Sequence, residues 1–240
     1  MNLHPPFIQK IFLSPEKYFS ATACLIGRIP GLILPSDRKE ALLLQQPLHQ
    51  KIVETLYLTD DFSTKLPLVC ADQCHGSDIA LVEPPFATET QEVAQVDGLM
   101  TSSPEVILGI RVADCAPVWI VDKNGRAGAL IHSGKKGTEA GIVPKAILKM
   151  QETFHIDPQE LIVTIGPCIR PPHYEIDFAK IIAEQALEAG VTMIQDEHIC
   201  TASHLDRYYS YRREQGKTGH MLALLLLKKS KNFSEEESSP

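Results

Sequence analysis

Aromatic residues are scarce, 6% of 240 positions with a single Trp. That leaves too few rings for a broad base-stacking surface. Basic residues are outnumbered, 23 Lys and Arg against 30 Asp and Glu, for a net charge of −7. A generalised nucleic-acid surface calls for the opposite sign, so no nucleic-acid partner is expected. Long hydrophobic runs are missing as well. The longest, Met221–Leu227, falls far short of the roughly 20 residues that span a bilayer, and no membrane partner is expected. The opening MNLHPPFIQK lacks a basic stretch followed by an apolar one, so no secretory leader is expected and the cytoplasm is the anticipated location. The six cysteines contain no CxxC pair, and a disulfide framework is not expected in a chain of this size without an export signal.

What is present is ordinary globular composition, 44% apolar and 22% charged, with enough chain to bury a sizeable core. No internal repeat is visible. Apolar and β-branched runs predict strands over 66–71, 105–112, 117–121, 126–131, 161–165 and 222–227. Helical spacing covers 136–154, where Pro144 marks the first turn of a later start, and 178–189, which Gly190 stops. Residues 1–60 read as irregular, because Pro5, Pro6, Pro15, Pro30, Pro35 and Pro47 break any long helix, with 51–58 either helical or extended. The expectation is one α+β domain over 1–227, with mixed sheets flanked by helices rather than a doubly wound parallel sheet. The polar stretch 228–240 is expected to be a disordered tail.

One turn carries a geometric inference. Asn124-Gly125 is a strong hairpin signal. Centring the turn there pairs Val121 with Gly128, Trp119 with Leu130, and Pro117 with His132. Cys115 lies two residues beyond Pro117 at the same open end, so Cys115 and His132 should be neighbours, about 5–9 Å apart at Cα. A thiol and an imidazole so placed admit three readings: a shared metal ion, a Cys–His nucleophile pair, or a buried Cys beside an unrelated His. Gln73-Cys74-His75-Gly76 follows another predicted strand, so His75 also sits at a strand end. His75, Cys115 and His132 together would form a His2Cys set, the three-ligand arrangement of catalytic zinc. Cys74 is disfavoured as a fourth ligand, since adjacent strand residues point to opposite faces. Behind His132, Ser133-Gly134-Lys135-Lys136-Gly137-Thr138 suggests a strand–helix junction able to cradle an oxyanion or phosphate, or a solvated loop with surface lysines. Asp114 and Glu175 are the carboxylates considered for proton transfer. Arg207 and the Ser210-Tyr211-Arg212-Arg213 cluster either pair on the surface or recognise an anion.

Taken in order, Gln73-Cys74-His75-Gly76, Asp97-Gly98-Leu99-Met100-Thr101, Ala113-Asp114-Cys115-Ala116-Pro117, Ile131-His132-Ser133-Gly134, Ile165-Gly166-Pro167-Cys168-Ile169, Tyr174-Glu175 and Tyr209-Ser210-Tyr211-Arg212-Arg213 resemble the YfiH-type family, across roughly residues 66–227. That family has long been labelled multicopper polyphenol oxidase or laccase domain and is now described as purine nucleoside phosphorylase. The resemblance implies a YfiH-like α/β fold, itself likened to cysteine hydrolases of the toxin deamidase type. It implies a metal, most often zinc with copper as the alternative, on His75, Cys115 and His132. It further implies phosphorolysis of adenosine, inosine, guanosine or methylthioadenosine, and hydrolytic deamination of adenosine. Asp114, Cys115 and Glu175 become the candidate catalytic residues. Gln73, Lys135, Lys136, Arg28 and Arg212 become the candidate substrate or phosphate contacts. The chain departs from the family pattern at Lys135 and Lys136, where Trp and Arg are usual, and at His220, where Arg closes a Thr-Gly-Arg run. The alternatives are therefore a copper phenol oxidase, a metal-free Cys–His hydrolase, or a degenerate accessory factor near cell-wall precursor synthesis. Oligomeric state is expected to be a monomer or small homo-oligomer.

Overall fold

Twelve strands are enough for two sheets, and the chain divides them evenly. A computed structural model describes residues 5–13, 21–57, 66–87 and 90–228. The strands are β1 (Ile8–Ile11), β2 (Ala21–Ile26), β3 (Leu68–Asp72), β4 (Ile79–Leu81), β5 (Gln91–Ala94), β6 (Gly98–Thr101), β7 (Ile107–Val112), β8 (Ala116–Asp122), β9 (Gly128–Ser133), β10 (Leu161–Ile165), β11 (Met193–Asp196) and β12 (Met221–Leu227). One mixed sheet runs β1-β2-β12-β7-β3-β5, the other β11-β10-β8-β9-β6-β4. The helices are α1 (Arg38–Tyr57), α2 (Lys135–Glu139), α3 (Ile142–Phe154) and α4 (Phe178–Glu188).

Period-two alternation sorts the strand residues into layers. In β12, Ala223, Leu225 and Leu227 face the second sheet, where they meet Trp119, Val121 and Leu130. Leu222, Leu224 and Leu226 face outward onto Val53 and Tyr57 of α1. In β8, Val118 and Ile120 turn away from the first sheet to pack with Ile142, Ala146 and Met150 of α3 and Ile182 of α4. The order of layers is α1, sheet, sheet, then α3 with α4. Trp119 joins the two sheets, its indole N–H donating to the Leu224 carbonyl at 2.9 Å. This is the mixed-sheet α+β architecture flanked by helices that the sequence pattern implied.

The hairpin register holds. Pro117 pairs with His132, Trp119 with Leu130 and Val121 with Gly128. The turn is wider than two residues: Asp122 N–H still bonds the Ala127 carbonyl, and the Asp122 carboxylate binds both the Arg126 amide and its guanidinium. Pro144 does fall in the first turn of α3, after a break at Gly141, which is left-handed at φ 69°. The largest difference from the sequence reading is α1, a 20-residue helix with Pro47 inside it, where irregular chain was expected. Its buried stripe is Ala41, Gln45, His49, Val53 and Tyr57, a helical four-residue period disguised by two polar members. Short strands β1, β2, β4, β5, β6 and β11 were also unmarked by alternation. Apart from Lys228, the stretch 228–240 lies outside the described residues.

Candidate metal centre and cleft

Three strand ends converge. β3 stops at Asp72 and the chain turns through His75, which sits in the left-handed region at φ 61°. Cys115 immediately precedes β8, after Asp114 at φ 83°. His132 occupies β9 opposite Pro117. Two non-glycine residues at positive φ mark local strain at this point, about 1–3 kcal/mol each. The ligating atoms of His75, Cys115 and His132 all lie within 4.8 Å of one another. The two imidazoles stand edge to face, with centroids 4.9 Å apart.

Asp97, buried just before β6, organises this trio. Its carboxylate accepts from the backbone N–H groups of Cys74 at 3.2 Å, His75 at 3.0 Å and Gly76 at 2.6 Å. It also takes the Cys74 thiol at 3.2 Å and His132 Nδ1 at 2.7 Å. Burial disfavours a charged carboxylate, but these donors outweigh it and hold Asp97 well below the usual carboxylate range. The His132 Nδ1–H···Asp97 bond leaves Nε2 free for a ligand, as metal-bound histidines require. Cys74, although adjacent to His75, spends its thiol on Asp97, so it is not a fourth ligand.

Electrostatics charges the sulfur. Burial would raise the Cys115 thiol, but His132 and His75 more than offset it and lower it to about 6. Burial would depress His132, yet Cys115 and Asp97 raise it to about 9. Gly134 permits the approach: a Cβ there would stand 2.5 Å from Cys115 Sγ. A thiolate and two imidazoles are the donors that zinc and copper accept. Zinc bond lengths of about 2.3 Å to sulfur and 2.0–2.1 Å to nitrogen place tetrahedral donors roughly 3.5 Å apart. The observed spread closes to that by small side-chain rotations, so the set fits a metal, with three protein donors as in a catalytic centre.

The centre opens into a cleft of about 600 Å³. Ile169, Tyr174, Phe178, Tyr211, Arg212 and Gln215 form one part of its lining. Arg38, Gln73, Arg111, Ala113, Asp114 and His220 contribute the rest. The Arg212 guanidinium lies over the Tyr174 ring, 4.9 Å from its centroid, and pairs with exposed Glu175 at 3.2 Å.

Of the sequence candidates, Asp114, Cys115, His75, His132, Gln73 and Arg212 line the cleft. Asp114 accepts from Thr201 Oγ1 and from the Arg212 amide, both at 2.7 Å, and so clasps two loops. Gln73 spends both ends of its amide on the Arg111 backbone. Glu175, Lys135 and Lys136 are exposed and are not among the lining residues. Arg28 is not among them either. It bonds the Tyr208 carbonyl, pairs with Glu214 at 2.8 Å and stacks on Tyr209. Sequence reasoning assigned no role to Asp97, Arg38 or Arg111. Only the Asp97-Gly98 motif gave any local signal for one of them.

Comparisons with known proteins agree with this geometry. A family model described as multi-copper polyphenol oxidoreductase laccase matches residues 52–179 and 173–228. The chain is 32% identical over 197 residues to the purine nucleoside phosphorylase YlmD of Geobacillus stearothermophilus, covering 65% of this chain and 71% of that protein. It is 29% identical to a purine nucleoside phosphorylase of Bacteroides thetaiotaomicron, covering 68% of this chain and 74% of the relative. The solved structure of the hypothetical protein YfiH of Bacillus licheniformis superposes with a TM-score of 0.72 at 21% identity, over 89% of this chain and 95% of that one, and shows a common fold. The match spans most of the two sheets and every strand end that meets at the His–Cys–His trio, and this chain belongs to the multi-copper polyphenol oxidoreductase laccase family.

Proposed function

We propose that the chain is a metal-dependent purine nucleoside phosphorylase that also deaminates adenosine. The observation carrying this reading is that His75, Cys115 and His132 converge at a cleft with an aromatic lining of nucleoside size. Zinc is the metal this reading assigns, copper the alternative, and it would supply Lewis acidity beside the substrate. Ile169, Tyr174 and Phe178 offer apolar faces for a purine, with Arg212 extending the Tyr174 platform. In phosphorolysis a phosphate oxygen bonds to ribose C1′, the glycosidic C–N bond breaks, and its electron pair leaves with the base. The proton of hydrogen phosphate ends on the purine, giving free base and ribose 1-phosphate. In deamination, water adds at purine C6 and ammonia leaves. Asp114 is the only carboxylate among the residues lining the cleft, and we assign it the proton carried from that water to the departing amine.

Adenosine, inosine, guanosine and methylthioadenosine are the substrates to test, as small molecules without a nucleic-acid or membrane partner. Among the described residues no helix is long and apolar enough to cross a membrane. A cytoplasmic monomer or small homo-oligomer completes the reading. Incubating purified protein with each nucleoside and phosphate should release base and ribose 1-phosphate, with inosine appearing from adenosine. Absence of all three products would end the proposal. The Cys115–His132–Asp97 line also has the parts of a cysteine hydrolase. Activity that survives chelation yet vanishes in Cys115→Ser would favour that second reading.

A further inference from the structure

The phosphorylase reading needs a place for phosphate, and exposed Lys135 and Lys136 do not line the cleft. A different wall carries the positive charge. Arg38 opens α1, Arg111 lies near the end of β7, and His220 directly precedes β12. All three line the cleft beside the metal centre. Arg38 makes no hydrogen bond or ion pair among the described residues. Arg111 pairs with Glu92 at 2.8 Å through one terminal nitrogen. His220 is only 9% exposed, and its Nδ1 is buried without a partner.

The placement of His220 is built. Gln45 of α1 accepts from the His220 amide at 2.8 Å and donates to its carbonyl at 3.2 Å. The strand start and the helix are thereby locked together, which fixes the imidazole against the cleft. Behind it, His49 is buried with an unpartnered Nε2. Burial, then the charge of Arg38 and Arg111, pushes His220 down to about 4. Burial together with Arg111 pushes His49 down to about 3. A region that drives two imidazoles to neutrality is one of positive potential, which a multivalent anion relieves. Guanidinium groups bind tetrahedral oxyanions through paired N–H donors, and a neutral imidazole adds one more.

We propose that Arg38, Arg111 and His220 form the phosphate subsite of this cleft. The inference rests on the phosphorylase reading for the identity of the anion, but not for the existence of the subsite. Its test is a pair of measurements. In the first, inorganic phosphate is titrated into the nucleoside-free protein while the imidazole resonances of His220 are followed. In the second, phosphate KM and nucleoside KM are measured for wild type, Arg38→Gln, His220→Gln and the double variant Lys135→Ala/Lys136→Ala. Arg38 is exposed, so Arg38→Gln should fold normally, which its melting temperature checks. The expected result is a saturable shift at His220, together with a phosphate KM at least tenfold higher in Arg38→Gln and a nucleoside KM within twofold of wild type. Phosphate KM unmoved in Arg38→Gln and His220→Gln but raised in the lysine variant would overturn the subsite. So would phosphorolysis with no phosphate-dependent change at His220. A saturable shift in a protein that performs no phosphorolysis would uphold the anion subsite and overturn the phosphorylase reading instead.

Discussion

Replacing Asp97 by Asn preserves shape and removes a charge at a point where five donors converge. Three backbone N–H groups, the Cys74 thiol and His132 Nδ1 all need an acceptor there. An amide offers one oxygen, and its NH2 would face at least one donor. Loss of a buried charge-assisted hydrogen bond costs about 1.5–3 kcal/mol, and breaking a buried charged pair about 3–5 kcal/mol. Part of that appears as fold stability. The rest appears at the metal, because His132 loses the partner that fixes its tautomer, and such outer partners are worth about 10–100-fold in metal affinity. That ratio corresponds to roughly 1.4–2.7 kcal/mol. Competition with a chromogenic chelator gives the metal Kd, and chemical unfolding of the metal-stripped protein gives the stability term separately. The expected outcome is a Kd raised at least tenfold beyond any change in the unbound fold. A variant of lower stability that binds metal as tightly as wild type would refute the idea that Asp97 positions the ligands.

Gly134→Ala brings a Cβ to 2.5 Å from Cys115 Sγ, so metal binding should weaken at least tenfold while the fold survives; unchanged binding would show that the loop yields freely. In metal-stripped protein, alkylation of Cys115 followed by peptide mass spectrometry should rise with a midpoint near pH 6 rather than 9, the ordinary thiol value. The sign follows from linkage. The depressed Cys115 value contributes stability above pH 9 that is lost as pH falls through 6, while the raised His132 value contributes below 6.5 and is lost as pH rises through 9. The thiolate–imidazolium pair therefore persists between about 6 and 9, and a Cys115 midpoint near 9 would contradict it. Trp119→Phe orphans the Leu224 carbonyl acceptor between the sheets and should cost about 1–3 kcal/mol by denaturant titration.

The hairpin was legible because its turn chemistry and its flanking alternation agree, and register then follows by counting. That counting brought Cys115 to His132 before any coordinates. Helix α1 was hidden for physical reasons: Gln45 and His49 interrupt its apolar stripe, and Pro47 argues locally against a helix that tertiary packing on β12 and β2 sustains. Asp97 acts through buried hydrogen bonds to a loop more than twenty residues earlier, which no spacing rule encodes. Arg38, Arg111 and His220 come from a helix start, a strand and a strand entry. Only the stacking of α1 on the first sheet brings them to one cleft. The lysines behind His132 attracted attention as a local motif, but α2 leaves them facing solvent.

Cobalt(II) titrated into the metal-stripped chain reports directly on whether the sulfur and two imidazoles share an ion, through the thiolate-to-metal charge-transfer absorption. The band should saturate at about one ion per chain, vanish in Cys115→Ser and weaken severely in His75→Ala. No band in the wild type, or an equal band in Cys115→Ser, would contradict the shared-ion centre on which the proposed chemistry stands.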